Sequence, residues 1–141
     1  MITITRKIEF DAGHRVMNHE SKCATLHGHR YVIEVEATAP NLDGIGRVID
    51  FSVVKEQIGG WIDKHWDHTT LVAEEDTVTL AALKSMPQYK APYVCAFNPT
   101  AENMAHYLLN DVCPRVLTDK NVKVSRIRVW ETPNCFAEAA L

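Results

Sequence analysis

The sequence predicts an α+β fold in which two helices pack on one face of an antiparallel sheet. Three observations carry that expectation. Residues 29–39 alternate between side chains of opposite character, as a strand with one buried face does. Two later stretches instead repeat apolar residues at helical spacing. The elements then run strand, strand, helix, helix, strand, an order that gathers the helices on one side of the sheet.

Taken in order, Ile2, Ile4, Ile8 and Phe10 share one parity, with Arg6 as the exception, and form a first strand. In the second, Tyr31, Ile33, Val35 and Ala37 face one way, and Val32, Glu34, Glu36 and Thr38 the other. The two pair across residues 12–26, a connection long for a hairpin, and long loops in compact domains are often functional. Residues 41–46 are turn-rich. Asp50 or Ser52 then caps a helix running to about Trp66, with Val54, Ile58, Trp61, Ile62 and His65 on one stripe. Gly59 and Gly60 weaken it by about 1 kcal/mol each relative to alanine. Residues 71–92 show no clear period, and residues 93–97 suit a short strand. Thr100 caps a second helix, whose first turn carries Glu102 where the helix dipole favours a carboxylate. Met104, Leu108, Val112 and Val116 form its buried stripe, which Pro114 should kink or shorten. Residues 122–131 make the last strand.

A chain of 141 residues suits one domain over 1–141, and 46% hydrophobic residues are enough to build a core. The net charge of -3 argues against a general nucleic-acid binder. No apolar run approaches the roughly 20 residues of a membrane span, and residues 1–10 lack a signal-peptide core. A cytoplasmic protein with no membrane or nucleic-acid partner is expected. The four cysteines are scattered without a Cys-x-x-Cys pair, which suits free thiols. Cys95 and Cys113 fall in apolar surroundings and read as core.

His27 and His29 flank Gly28 and share the parity of Tyr31, Ile33 and Val35, so both imidazoles point to the mouth of the core. Gly28 leaves room on the opposite face for a close neighbour. His14 follows the first strand, which pairing brings near. Three histidines and an open fourth position describe a catalytic zinc site. Cys23, four residues before His27, is either a fourth ligand closing a structural site or a reactive thiol beside the metal, and spacing does not choose between them.

The segments Phe10-Asp11-Ala12-Gly13-His14-Arg15 and Cys23-Ala24-Thr25-Leu26-His27-Gly28-His29 together resemble the signature of the 6-pyruvoyltetrahydropterin synthase / 6-carboxytetrahydropterin synthase family. Asp67-His68, Pro99-Thr100-Ala101-Glu102-Asn103 and Trp130-Glu131-Thr132 continue the resemblance in the same order along nearly the whole chain. The three-residue gap between Cys23 and His27 is most similar to the bacterial 6-carboxytetrahydropterin synthases of queuosine biosynthesis. Trp66 and Val72 depart from residues common in the family, and residues 71–97 are longer than in its shortest members.

The resemblance implies Zn2+ held by His14, His27 and His29. It implies catalysis by Cys23 with Asp67 and His68, and a pterin anchor at Glu131, with Glu102 and Thr100 as further contacts. Arg15 and Lys22 stand close enough in sequence to meet a triphosphate. The implied reaction takes 7,8-dihydroneopterin triphosphate to 6-carboxy-5,6,7,8-tetrahydropterin, releasing triphosphate and acetaldehyde. The alternatives are the 6-pyruvoyl product and, in another class, a zinc or pterin module without catalysis. The implied architecture is the tunnelling fold, whose sheets join into a barrel in a homohexamer built as a dimer of trimers.

Overall fold

The computed structural model describes residues 1–141 and contains one six-stranded sheet in the order β4-β3-β1-β2-β5-β6. The strands are β1 (Thr3–His14), β2 (His27–Thr38), β3 (Thr69–Ala73), β4 (Tyr93–Cys95), β5 (Lys123–Thr132) and β6 (Cys135–Ala140). Three helical stretches accompany them: α1 over residues 51–65, α2 (Thr77–Lys84) and α3 over residues 101–116.

β1 and β2 pair antiparallel without interruption from Thr3↔Thr38 to His14↔His27. At the loop side both strands outrun their sequence-based limits, because Asp11 to His14 and His27 extend the same alternation. Ile8, Phe10 and Ala12 of β1 and Tyr31, Ile33, Val35 and Ala37 of β2 face one buried layer, joined by Ile127 and Val129 of β5. α1 and α3 cover that layer with Val54, Ile58, Trp61 and Ile62, and with Met104, Leu108 and Val112. The expected parity and both expected stripes are therefore present.

The sheet is mixed rather than antiparallel, and a third helix is present. β3 runs parallel to β1, and β4 parallel to β3. Leu71 and Val72 are both fully buried, so β3 is covered on both faces and shows no alternation to read. α2 begins at Asp76, whose carboxylate accepts from the Thr79 amide at 3.3 Å. Its β-branched residues and exposed Val78 hide the helical period. β6 is mostly exposed and rich in alanine, a weak strand former.

Asp50 caps α1, accepting from the Ser52 amide at 2.8 Å. The helix widens into a π-turn at Lys55–Gly59 and continues through both glycines. A Cβ on Gly59 would stand 3.5 Å from Ile8, so the helix lies close to the sheet there. Pro114 does not end α3. The Leu108–Val112 turn is π-helical, and Pro114 falls in the first turn of the α-helical segment that follows, where a missing N–H is tolerated. No helix is long and apolar enough to cross a membrane. All four cysteines are free, and burial pushes the thiols of Cys95 and Cys113 up to about 12.

Candidate metal centre

The ladder between β1 and β2 builds the centre. His14 ends β1 directly opposite His27, which begins β2, and His29 lies two residues further along the same face. Gly28 permits this approach, since a Cβ there would meet the Ala12 carbonyl at 3.2 Å. One ligand atom from each of His14, His27 and His29 lies within 4.8 Å of the other two.

The outer nitrogens fix the tautomers. His14 Nδ1 lies 2.6 Å from the Pro99 carbonyl, and His27 Nδ1 lies 2.6 Å from the Thr25 carbonyl. A carbonyl only accepts, so both Nδ1 atoms carry the hydrogen and both Nε2 atoms of the neutral rings carry lone pairs. Those two Nε2 atoms face each other at 3.1 Å. Two lone pairs so placed repel, and a cation between them removes the repulsion. His29 Nε2 is buried and has no hydrogen-bond partner. The donor set therefore fits a metal ion, with backbone carbonyls holding two imidazoles from behind so that their free nitrogens point inward. Burial, together with the neighbouring His27 and His29, holds the His14 pKa down at about 4 against the opposing Pro99 hydrogen bond. Burial lowers that of His29 as well, against the pull of Glu131.

Glu131 stands beside this cluster, its Oε2 3.9 Å from His29 Nε2. The register that pairs Val32 with Trp130 carries Glu131 alongside Tyr31, whose fully buried hydroxyl has no partner. Glu131 and Glu102 line one pocket of about 370 Å³ with Ala101, Cys135 and Phe136. Thr100 does not join them in lining it; its hydroxyl caps α3 by accepting from the Asn103 amide at 3.1 Å.

Cys23 is half-buried in a short 3-10 turn, Lys22–Ala24, and is not a member of the histidine cluster. The Val16 amide donates to its carbonyl at 3.0 Å, which places it just beyond His14. Asp67 and His68 lie the other way along β1. The His68 amide donates to the Asp11 carbonyl at 2.7 Å, and the Asp11 amide to Asp67 Oδ1 at 3.1 Å. Asp67 Oδ2 is 2.8 Å from His68 Nδ1. Burial raises the Asp67 pKa, but the hydrogen bonds from His68 and Asp11 outweigh it and hold the carboxyl below its ordinary value. His68 adopts φ 56°, a left-handed conformation uncommon outside glycine, which turns the chain from α1 into β3 and leaves its ring exposed. From Asp11 near the end of β1 to Val16 just past it, the His68 and Cys23 attachments are on the order of 15 Å apart. One chain thus brings together the three histidines and Glu131, and keeps His68 away from Cys23.

The profile of the 6-pyruvoyl tetrahydropterin synthase family matches residues 3–140. The chain belongs to that family. It is 43% identical to a 6-carboxy-5,6,7,8-tetrahydropterin synthase of Rickettsia bellii over 98% of this chain and 99% of the relative. It is 32% identical to one of Haemophilus influenzae, with 98% of each covered. Among solved structures, an uncharacterized protein of Wolinella succinogenes superposes with a TM-score of 0.83 at 25% identity, covering 99% and 97% of the two chains. The 6-pyruvoyl tetrahydropterin synthase of Caenorhabditis elegans shares the fold at a TM-score of 0.69 and 21% identity, covering 99% and 95%. The family is one of tetrahydropterin-forming enzymes.

Sequence reasoning missed the carbonyls of Pro99 and Thr25, which carry no side-chain signal, and the pocket wall supplied by β6. It also missed Asp76, although an Asp three residues before Thr79 is a legible helix cap. Arg15 does not project freely toward a substrate, being bound to Asp76 and to the Ala24 carbonyl. Lys22 is exposed.

The His14 shift gives a pH prediction for the metal-free protein. Between pH 6.5 and about 4 the unfolded chain holds a proton at His14 that the folded chain does not. Stability is therefore fully present above 6.5 and falls as the pH drops through that window, by on the order of 3 kcal/mol. Urea unfolding of chelator-treated protein should show this slope, and His14→Leu should reduce it. Asp67 and Asp76 act mainly below their ordinary value of 3.8, whereas His29 and His65, which burial also holds down, add to the slope in the same direction. A flat wild-type profile from pH 6.5 to 4 would contradict the assignment.

Proposed function

We propose that this protein is a zinc-dependent 6-carboxytetrahydropterin synthase. It takes 7,8-dihydroneopterin triphosphate and one water to 6-carboxy-5,6,7,8-tetrahydropterin, triphosphate and acetaldehyde, in queuosine biosynthesis. The observation that carries the reading is the cluster of His14, His27 and His29, one ligand atom of each within 4.8 Å of the other two, beside a half-buried carboxylate. The names of the relatives at 43% identity favour the carboxy product over the pyruvoyl one.

His14, His27 and His29 hold the zinc, which when bound supplies Lewis-acid stabilisation of charge developing on the substrate's side-chain oxygens. Glu131 accepts the two adjacent N–H groups of the pterin's pyrimidine edge, the bidentate geometry a carboxylate also offers to arginine. Glu102, across the same pocket, lends further negative charge. Cys23, free of the ligand cluster, serves in its thiolate form as the base that takes a proton from the side-chain carbon next to the ring and becomes the thiol. His68, its Nδ1 held by Asp67, exchanges the matching proton at Nε2.

The separation of Cys23 from His68 within one chain supports an active site assembled between subunits, with His68 meeting the Cys23 of a neighbour. The open edges β4 and β6 are available for the joining of sheets into a barrel, which removes exposed edges, and a homohexamer follows as a dimer of trimers.

Mass analysis of the products from dihydroneopterin triphosphate tests the reaction: 6-carboxytetrahydropterin and acetaldehyde are expected, and Cys23→Ala should lower kcat about 10²- to 10⁴-fold with zinc retained. A 6-pyruvoyl product would transfer the protein to the sister reaction, and no turnover with zinc bound would favour the non-catalytic module. Mixing tests the shared site. Cys23→Ala and His68→Ala, each inactive alone, should recover about a quarter of wild-type activity when dissociated and reassembled at equal amounts. No recovery on reassembly would place both residues in one chain's site.

A further inference from the structure

Arg15 joins three parts of the molecule that the sequence keeps apart. It follows His14 at the end of β1. Its Nη1 donates to Asp76 Oδ2 at 2.8 Å, and its Nε to the Ala24 carbonyl at 2.8 Å. The Val16 amide donates to the Cys23 carbonyl at 3.0 Å. Two consecutive peptide carbonyls at the thiol, those of Cys23 and Ala24, are therefore tied to two consecutive residues after His14.

Asp76 anchors the far end. Its side chain is 2% exposed, and its other oxygen caps α2 at the Thr79 amide. The Arg15 guanidinium and the Thr79 hydrogen bonds outweigh the effect of burial and hold the Asp76 carboxyl below its ordinary value, so the pair is charged at neutral pH. Elsewhere the turn has its own short-range bonds, from Ala24 to Ser21 and from Thr25 to Lys22, and a bond from His27 Nδ1 to the Thr25 carbonyl at its far end. A planar fork reaching two acceptors at once fixes a position in a way that a point charge does not.

We propose that the Arg15–Asp76 pair is a positioning brace for Cys23, through which α2 sets the place of the thiol relative to the metal centre. Neither residue touches the reacting atoms. The inference rests on Cys23 being the base of the proposed reaction, and it assigns a task to residues 74–84, whose purpose the sequence leaves open. Displacing a catalytic group by about 1 Å can cost on the order of 10²-fold in rate.

The test uses full-length, zinc-loaded Asp76→Asn and Arg15→Lys. Asp76→Asn removes the charge at a residue the substrate does not reach. Arg15→Lys keeps a cation for Asp76 but loses the fork, so it serves if Asp76→Asn fails to fold. Both should keep zinc and lower kcat about 10- to 100-fold with KM changed less than about threefold. Alkylation by iodoacetamide, read peptide by peptide by mass spectrometry without substrate, should speed up several-fold at Cys23. Cys135 supplies an exposed control thiol, and Cys95 and Cys113 are buried.

A rise in KM with kcat and Cys23 alkylation unchanged would make Arg15 a substrate contact and overturn the brace. Unchanged kcat and unchanged alkylation in both variants would overturn it too. A wild-type protein that makes no pterin product would defeat the proposed function instead, and the alkylation rates would still decide whether the pair holds the thiol turn.

Discussion

The register between β1 and β2 is the constraint on which the rest depends. Twelve consecutive pairs, from Thr3↔Thr38 to His14↔His27, fix which face every side chain takes. Because strand side chains alternate with a period of two, a slip of one residue would send His27, His29 and Tyr31 to the outer face and carry Ile33 and Val35 out of the core. The same buried alternation that stabilises the sheet therefore specifies the metal centre. Folding energy guards the geometry of the histidines without any interaction among the histidines themselves.

Two features outside the ladder finish the centre. The Pro99 carbonyl, just ahead of the Thr100 cap, reaches His14 and links the start of α3 to the end of β1. The Thr25 carbonyl, at the end of the Cys23 turn, does the same for His27. Each turns an imidazole so that Nε2 points inward. The arrangement leaves lone pairs opposed at 3.1 Å and an orphaned His29 nitrogen, a state that is costly without a cation and favourable with one.

The central ladder and the centre were legible in the sequence because both rest on local alternation. His27 and His29 could be assigned to the buried face from the parity of Tyr31, Ile33 and Val35 alone, and Asp50 and Thr100 announced their helices as caps. What stayed hidden depends on tertiary burial. β3 has apolar Leu71 and Val72 on consecutive positions, both fully buried, so the strand left no period to read. α2 opens on the β-branched Thr77, Val78 and Thr79, and β6 is rich in alanine, so neither announces its own type. The placing of Asp67-His68 beside Asp11, away from Cys23, follows from where β3 docks, and no spacing within either motif encodes it.

The account turns on a site of three histidines whose remaining position is open, with Cys23 left free as a base. X-ray absorption at the zinc edge of the zinc-loaded protein tests that most directly. The account predicts only nitrogen and oxygen neighbours, at about 2.0–2.1 Å for the imidazoles. A sulfur neighbour at about 2.3 Å would contradict it, since Cys23 would then be a ligand closing the site.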